Sequence, residues 1–274
     1  MRLFKTIFDF YLDASVHVAL AVISLVVVTT LLLNVPIDFS LIGFVFCSTM
    51  VCYNFVKYGV EAEKYLIVSN IYHKNIQVFS FFGFALAIYF LMNLSREIWF
   101  AVIGLGLIST LYAIPFLPNA KNLRSLGGFK IYIVAIVWVG FTALLPVLES
   151  ETPITWDLWV LFSQRFVFVL ILILPFEIRD LQWDDKRLKT LPQLIGIQKT
   201  RMTGFVLIAV FFLLTFLKDD LLLSELTARF FVSIALTVVF LLKSKMQDKY
   251  FASFWVEGIP IFWASLFLLV NEFY

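Results

Sequence analysis

Three carboxylates recur at helical spacing where a long apolar run ends: Glu177, Asp180 and Asp184 in the stretch PFEIRDLQWDDKRLKTLP. At about 100° per residue they project within roughly 60° of one another on a helix, so they form one acidic face. Carboxylates crowded in this way resist joint ionisation, and a cluster turned into protein needs cations to stay charged. A divalent metal ion answers that need, and so do the neighbouring Arg179, Lys186 and Arg187. Both readings stand open on these residues alone.

A second polar face ends an earlier apolar run. Asn54, Lys57, Tyr58 and Glu61 follow the i, i+3, i+4, i+7 spacing of one helix side, with Lys64 a turn further on. Asn54 and Glu61 offer oxygen ligands to a hard cation, and the lysines suit phosphate oxygens. The same face also fits an interfacial helix end whose Lys and Glu compensate one another. Between two further runs, YAIPFLPNAKNLRSLGGFK gathers Tyr112, Lys121, Arg124 and Lys130 around Gly127 and Gly128. That stretch reads as a basic rim for an anionic head group, or as ordinary positive charge flanking a membrane. Arg165 and Glu257 fall inside apolar runs, where charge is costly and faces a bundle interior or a partner, so a mutual ion pair is one reading. His17 and His73 stand isolated, and most of the 32 Phe rings must face lipid or neighbouring helices.

The elements that position these groups follow from composition. With 62% hydrophobic and 15% charged residues and a mean hydropathy of +0.96, the 274-residue chain is too apolar for a soluble domain and reads as an integral membrane protein. A net charge of +2 without a basic tail gives no sign of nucleic-acid binding. Cys47 and Cys52 share one apolar run, which suggests neither a disulfide framework nor a zinc site. The segment MRLFKTIFDFYLDAS lacks a cleavage pattern, so the first long apolar run is expected to be a retained span.

Nine runs can cross about 30 Å of hydrocarbon as helix. They lie near 15–34, 39–58, 76–95, 97–118, 129–148, 156–177, 202–217, 228–243 and 251–271. No run alternates in polarity, so an all-α polytopic bundle is expected rather than a barrel, organised as one membrane domain over 1–274. A cytoplasmic amino terminus puts seventeen of the 21 Lys and Arg on the cytoplasmic side, and only Arg96, Lys218 and Arg229 opposite. The carboxyl terminus then lies on the far side. The charged loops follow spans two, four and six, so polar chemistry belongs at the cytoplasmic mouth. In a bacterium this would be the inner membrane.

Nine spans, a polar face ending span two and an acidic motif ending span six resemble the UbiA superfamily of membrane prenyltransferases. The resemblance runs the length of the chain. It is most specific in EIRDLQWDDKRLKTLPQLIG, which is similar to the family's second aspartate-rich motif: Glu177, Asp180 and Asp184 occupy its acidic positions, followed by Thr190, Leu191, Pro192 and Gly196. TLYAIPF and the basic loop before GFKIYIVAIVW also resemble the family's connection between spans four and five. The first motif departs: of Asn-Asp-x-x-Asp-x-x-x-Asp only Asn54 matches, with Phe55, Tyr58 and Ala62 at the aspartate positions.

The resemblance implies transfer of an isoprenoid group from a prenyl diphosphate to a lipophilic or aromatic acceptor. It implies Mg2+ as cofactor, with Asp180 and Asp184 as main ligands, Glu177 as a direct or water-mediated ligand and Asn54 as a contributor. Lys57, Lys121, Arg124 or Lys130 would replace part of the charge of a missing metal ion, and Tyr58, Glu61 and Tyr112 complete the expected substrate-binding set. A protein of the same fold that binds the diphosphate without transferring it is the alternative. A carrier of an amphiphilic anion is a third reading, disfavoured by polar clusters at a single membrane edge.

Overall fold

The computed structural model describes residues 2–58, 71–114, 127–184, 188–242, 246, 248 and 250–272. Among these, all regular structure is helical. A short amphipathic helix, α1 (Arg2–Asp13), precedes nine helices long and apolar enough to span a membrane. These are α2 (Val16–Leu33), α3 (Phe39–Tyr58), α4 (Ile71–Leu91), α5 (Arg96–Ala113), α6 (Lys130–Glu149), α7 (Trp156–Asp180), α8 (Leu191–Leu217), α9 (Leu223–Leu241) and α10 (Phe251–Asn271).

Three spans begin several residues earlier than hydropathy predicts, and the third, expected from 76, starts at Ile71. The seventh, expected from 202, starts at Leu191, because its first turns carry the polar run QKTR. Thr190 and Gln193 open it: the Thr190 backbone N–H donates to Gln193 Oε1 at 3.0 Å, and Pro192 lies in the first turn, where its missing N–H has no cost. Gly196 then breaks the helix with φ 82° and ψ 158°, a conformation open to glycine alone at little strain. The eighth span, expected from 228, starts at Leu223. Its Glu225 and Arg229 are buried and paired with each other, with Lys218 Nζ 2.7 Å from Glu225, so these charges sit inside the helix instead of ending it.

The bundle closes around α7, whose apolar stretch is 67% buried against 17% for α5. Phe168 of α7 packs edge-on to Trp263 of α10, and both meet Phe211 of α8. Arg165, fully buried, donates to Leu25 O at 3.0 Å and to Thr29 Oγ1 at 3.1 Å, and its guanidinium lies over the Trp263 ring. It therefore does not pair with Glu257, which lines a cavity at one end of the bundle. Gly83 lets α4 approach α3, because a Cβ there would collide with the Met50 methyl. On α4 and α5, Phe81, Phe82, Phe100 and Ile103 are exposed, as lipid-facing positions should be.

Two spans contain π-helical turns, Gly140–Leu144 in α6 and Phe251–Val256 in α10. Each is met by a side chain from α2: Thr29 donates to Thr142 O at 2.7 Å, and His17 Nε2 lies 2.9 Å from Phe254 O.

Candidate active site

Successive spans run in opposite directions, so the ends of α3, α5 and α7 and the starts of α6 and α10 arrive at the same face as α1. They enclose a cavity of about 370 Å3 whose wall carries Asp9 and Asp13 of α1, Lys57 of α3, Lys130 of α6, Glu177, Arg179 and Asp180 of α7, and Glu257 of α10. Tyr112 also lines it.

The acidic motif is divided in a way its spacing does not predict. α7 ends at Asp180, and one further turn follows, in which the Asp184 N–H donates to Asp180 O at 2.9 Å. Lys130 then bridges Glu177, at 2.7 Å, and Asp184, at 3.4 Å. Asp180 faces Arg179 instead, taking Nε at 2.7 Å and Nη2 at 3.1 Å. Arg179 is itself held by Ser253 Oγ at 2.9 Å and stacks on Phe176. Gln193 ties the start of α8 to this turn by donating to Asp184 O at 3.4 Å. The expected single acidic face is thus two cation-paired units, and among the described residues no three metal-ligating side chains converge. The physical reason is that repulsion between neighbouring carboxylates is relieved most cheaply by cations already in the chain.

The donor set still fits Mg2+. Glu177 Oε2 is buried and meets no hydrogen-bond partner within ordinary distance among the described residues, and Glu177 and Asp180 line the same cavity. Mg2+ characteristically takes one or two carboxylates, several waters and substrate phosphate oxygens rather than an all-protein cage.

The polar face of α3 has another role than the one its spacing suggests. The last carbonyls of a helix lack intrahelical donors. Here Lys57 Nζ donates to Leu12 O at 3.2 Å, Tyr58 to Asp13 O at 3.1 Å and Asn54 Nδ2 to Ala14 O at 3.1 Å. Asn54 also donates to Ser80 Oγ at 2.9 Å and is fully buried away from the cavity, although its Oδ1 is left unpaired. Of the described residues of this face, Asn54, Lys57 and Tyr58, only Lys57 reaches the cavity wall. Chain reversal at Ser15, with φ 60°, brings α1 under these donors. Tyr72 and Tyr250 complete its attachment, donating to Asp13 at 2.8 Å and Asp9 at 2.7 Å. Glu61, Lys121 and Arg124 lie outside the described residues.

Sequence reasoning does not single out Asp9 and Asp13. Their i, i+4 spacing in an amphipathic segment is the one signal that could have found them. Nor does it place Glu257 here, although an ionisable residue in an apolar run marks a functional candidate. Glu257 lies within electrostatic reach of Lys57 and Arg179. On α1, burial and then the Glu257 charge push the Tyr11 phenol above its ordinary range.

Tyr53 lines the charged cavity and also an apolar chamber of about 400 Å3 between α3, α4, α5 and α6. Its hydroxyl accepts from Trp138 Nε1 at 2.9 Å. The chamber wall is formed by side chains such as Phe44, Phe84, Leu91 and Phe141. A charged compartment open to one face and an apolar compartment thus meet at one tyrosine.

No protein-family model matches the sequence, and no curated protein is detectably similar to it. Solved structures are. A UbiA homolog from Archaeoglobus fulgidus bound to GPP and Mg2+ superposes with a TM-score of 0.61 at 11% identity, over 96% of this chain and 99% of that one. A UbiA homolog from the same organism bound to DMAPP and Mg2+ gives 0.52 at 13%, over 96% and 94%. A digeranylgeranylglyceryl phosphate synthase gives 0.56 at 15%, over 97% of both chains. The superpositions run end to end on all three: this chain has the UbiA fold.

Proposed function

We propose that this protein is a Mg2+-dependent prenyltransferase that takes a prenyl diphosphate as donor. The observation that carries this reading is the junction at Tyr53 of a charged, one-sided cavity with an apolar chamber. An amphiphile with a short, highly charged head and a hydrocarbon tail matches both compartments. The similar structures holding GPP or DMAPP with Mg2+ support the same substrate class.

In this reading the diphosphate lies in the mouth, where Glu177, Asp180 and Asp184 would hold Mg2+ and Lys57 and Lys130 meet phosphate oxygens. Bound there, Mg2+ would supply positive charge against that building on the departing diphosphate. Lys130 has two states to occupy: counter-ion to Glu177 and Asp184 before the substrate arrives, and phosphate ligand afterwards. The tail extends past Tyr53 into the chamber, and exclusion of water there protects the allylic cation from solvent capture. The concentration of Lys and Arg in the loops on this side supports a cytoplasmic mouth and a cytoplasmic α1.

One observation favours a second reading, a protein that binds the diphosphate without transferring it. The motif acids are already neutralised by Lys130 and Arg179, and the family's first aspartates are replaced by Phe55, Tyr58 and Ala62. The experiment that separates the two is pyrophosphate release by the purified protein in lipid, offered a panel of allylic diphosphates with Mg2+, beside an Asp180→Asn/Asp184→Asn double variant. Release by the parent alone supports the transferase. Metal-dependent binding of the diphosphate without release, with or without candidate acceptors, overturns it in favour of the second reading.

A further inference from the structure

Among the described residues five carboxylates line the cavity, and four of them have partners: Asp9 and Asp13 accept from tyrosines, Glu177 meets Lys130 and Asp180 meets Arg179. Glu257 is the fifth. Among the described residues no hydrogen bond and no ion pair within 4 Å engages its carboxylate, although Lys57 and Arg179 are near enough to act on it through space. Both those cations are engaged elsewhere, Lys57 on a carbonyl of α1 and Arg179 on Asp180 and Ser253.

The backbone explains why Glu257 points here. The π-helical turn Phe251–Val256 ends on it, and its N–H donates to Ala252 O at 3.1 Å, five residues back. Such a turn inserts one residue into the helix and so rotates all later positions by about 100°. Without the insertion, the carboxylate would leave the cavity wall. Tyr53 offers the complementary group: its hydroxyl accepts from Trp138, its own proton has no acceptor among the described residues, and it stands where the two compartments meet.

We propose that Glu257 is the catalytic proton acceptor for the second substrate, and that this substrate is a neutral compound bearing a hydroxyl group. The assignment rests on the transferase reading above. The bond from the prenyl C1 to the diphosphate oxygen breaks and its electron pair leaves with the diphosphate. A lone pair of the acceptor hydroxyl forms the new C1–O bond. The hydroxyl proton passes to the Glu257 carboxylate, which returns it to water after the ether product leaves. A neutral acceptor is favoured because, among the described residues, the cavity is lined by five carboxylates and three cations, of which Lys57 and Lys130 serve the diphosphate and Arg179 is held by Asp180 and Ser253. An anionic acceptor finds no further positive side chain among those residues.

The test uses the full chain in lipid nanodiscs with Mg2+, geranyl diphosphate as donor, and a monoalkylglycerol or a neutral alkylphenol as acceptor probe. Ether product, pyrophosphate release without acceptor, and binding of the unreactive geranyl S-thiolodiphosphate are measured for the parent, Glu257→Gln and Glu257→Asp. The expected result is ether formation by the parent, a loss of about 100-fold or more in Glu257→Gln, and partial recovery in Glu257→Asp. Analogue binding and acceptor-free pyrophosphate release should stay within about threefold of the parent in both variants. Ether formation by Glu257→Gln at the parent rate overturns the assignment. Parallel loss of analogue binding and release overturns it too, by making Glu257 a counter-ion of Lys57 and Arg179. A parent that releases pyrophosphate but etherifies neither probe overturns the hydroxyl acceptor and leaves the transferase reading intact. A parent that releases no pyrophosphate from geranyl diphosphate, with or without either acceptor, overturns both.

Discussion

Replacing Lys130 by Met tests whether one lysine holds the place of the metal ion. Its Nζ stands 2.7 Å from Glu177 and 3.4 Å from Asp184, with 13% of the Lys130 and 4% of the Glu177 side chain exposed. At an effective dielectric constant of about 20, unit charges at such separations attract by about 5–6 kcal/mol per pair, and desolvation offsets much of this. Removing one partner of a buried pair costs about 3–5 kcal/mol, because the other charge is left uncompensated. The partial exposure of Lys130 and Asp184 sets the expectation near about 3 kcal/mol, roughly a hundredfold in the folded-to-unfolded ratio. Met keeps the apolar stem, so packing is disturbed little. Mg2+ bound to the carboxylates left without their lysine would then restore stability by mass action, about 2.7 kcal/mol at a hundred times its Kd. Thermal unfolding in nanodiscs across a Mg2+ titration reads both effects. Lys130→Met should unfold at a lower temperature than the parent without metal and gain more than the parent as Mg2+ rises. Equal stability in metal-free buffer together with an equal Mg2+ response would show that Lys130 neither neutralises the acids nor competes for them.

Three further perturbations probe different parts of the molecule. Glu225→Gln removes the carboxylate shared by Lys218 and Arg229, and should destabilise the fold by about 3 kcal/mol while leaving pyrophosphate release per folded molecule unchanged; a lowered turnover at equal folding would contradict a purely structural role. Asn54→Ala withdraws donors from Ala14 O and Ser80 and should cost about 1–2 kcal/mol, with faster amide exchange confined to α1 and its junction with α2; unchanged exchange there would mean that Asn54 does not anchor α1. Ser48→Phe narrows the apolar chamber, so turnover of long prenyl diphosphates should fall at least about tenfold relative to dimethylallyl diphosphate. An unaltered chain-length preference would place the tail elsewhere.

Hydropathy and charge asymmetry carry the fold a long way. They predict span six over 156–177 and span nine over 251–271, and the helices run Trp156–Asp180 and Phe251–Asn271. The late expected starts of α8 and α9 share one cause: polar residues satisfied within the bundle look, in a window of sequence, like loop. The mouth is legible as a set of charges at one membrane edge, since Lys57, Tyr112, Lys130, Glu177 and Asp180 all line it. The pairing of those charges is not. Helical spacing states which side chains share a face of their own helix, and says nothing of the lysine from α6 that comes between two of them. In the same way, the spacing of Asn54, Lys57 and Tyr58 marks a polar face correctly, but the groups needing that polarity are backbone carbonyls at residues 12–14, an acceptor no side-chain pattern reveals.

The two π-helical turns bear on how this chain should be compared with others. Each adds one residue to a span without lengthening its path across the bilayer by a full turn, so the residues beyond it keep their depth and change their bearing. Matching α6 or α10 to an uninterrupted helix residue by residue therefore sets inward-facing positions opposite lipid-facing ones from Gly140 or Phe251 onward. A gap of one position at each turn restores the physical correspondence.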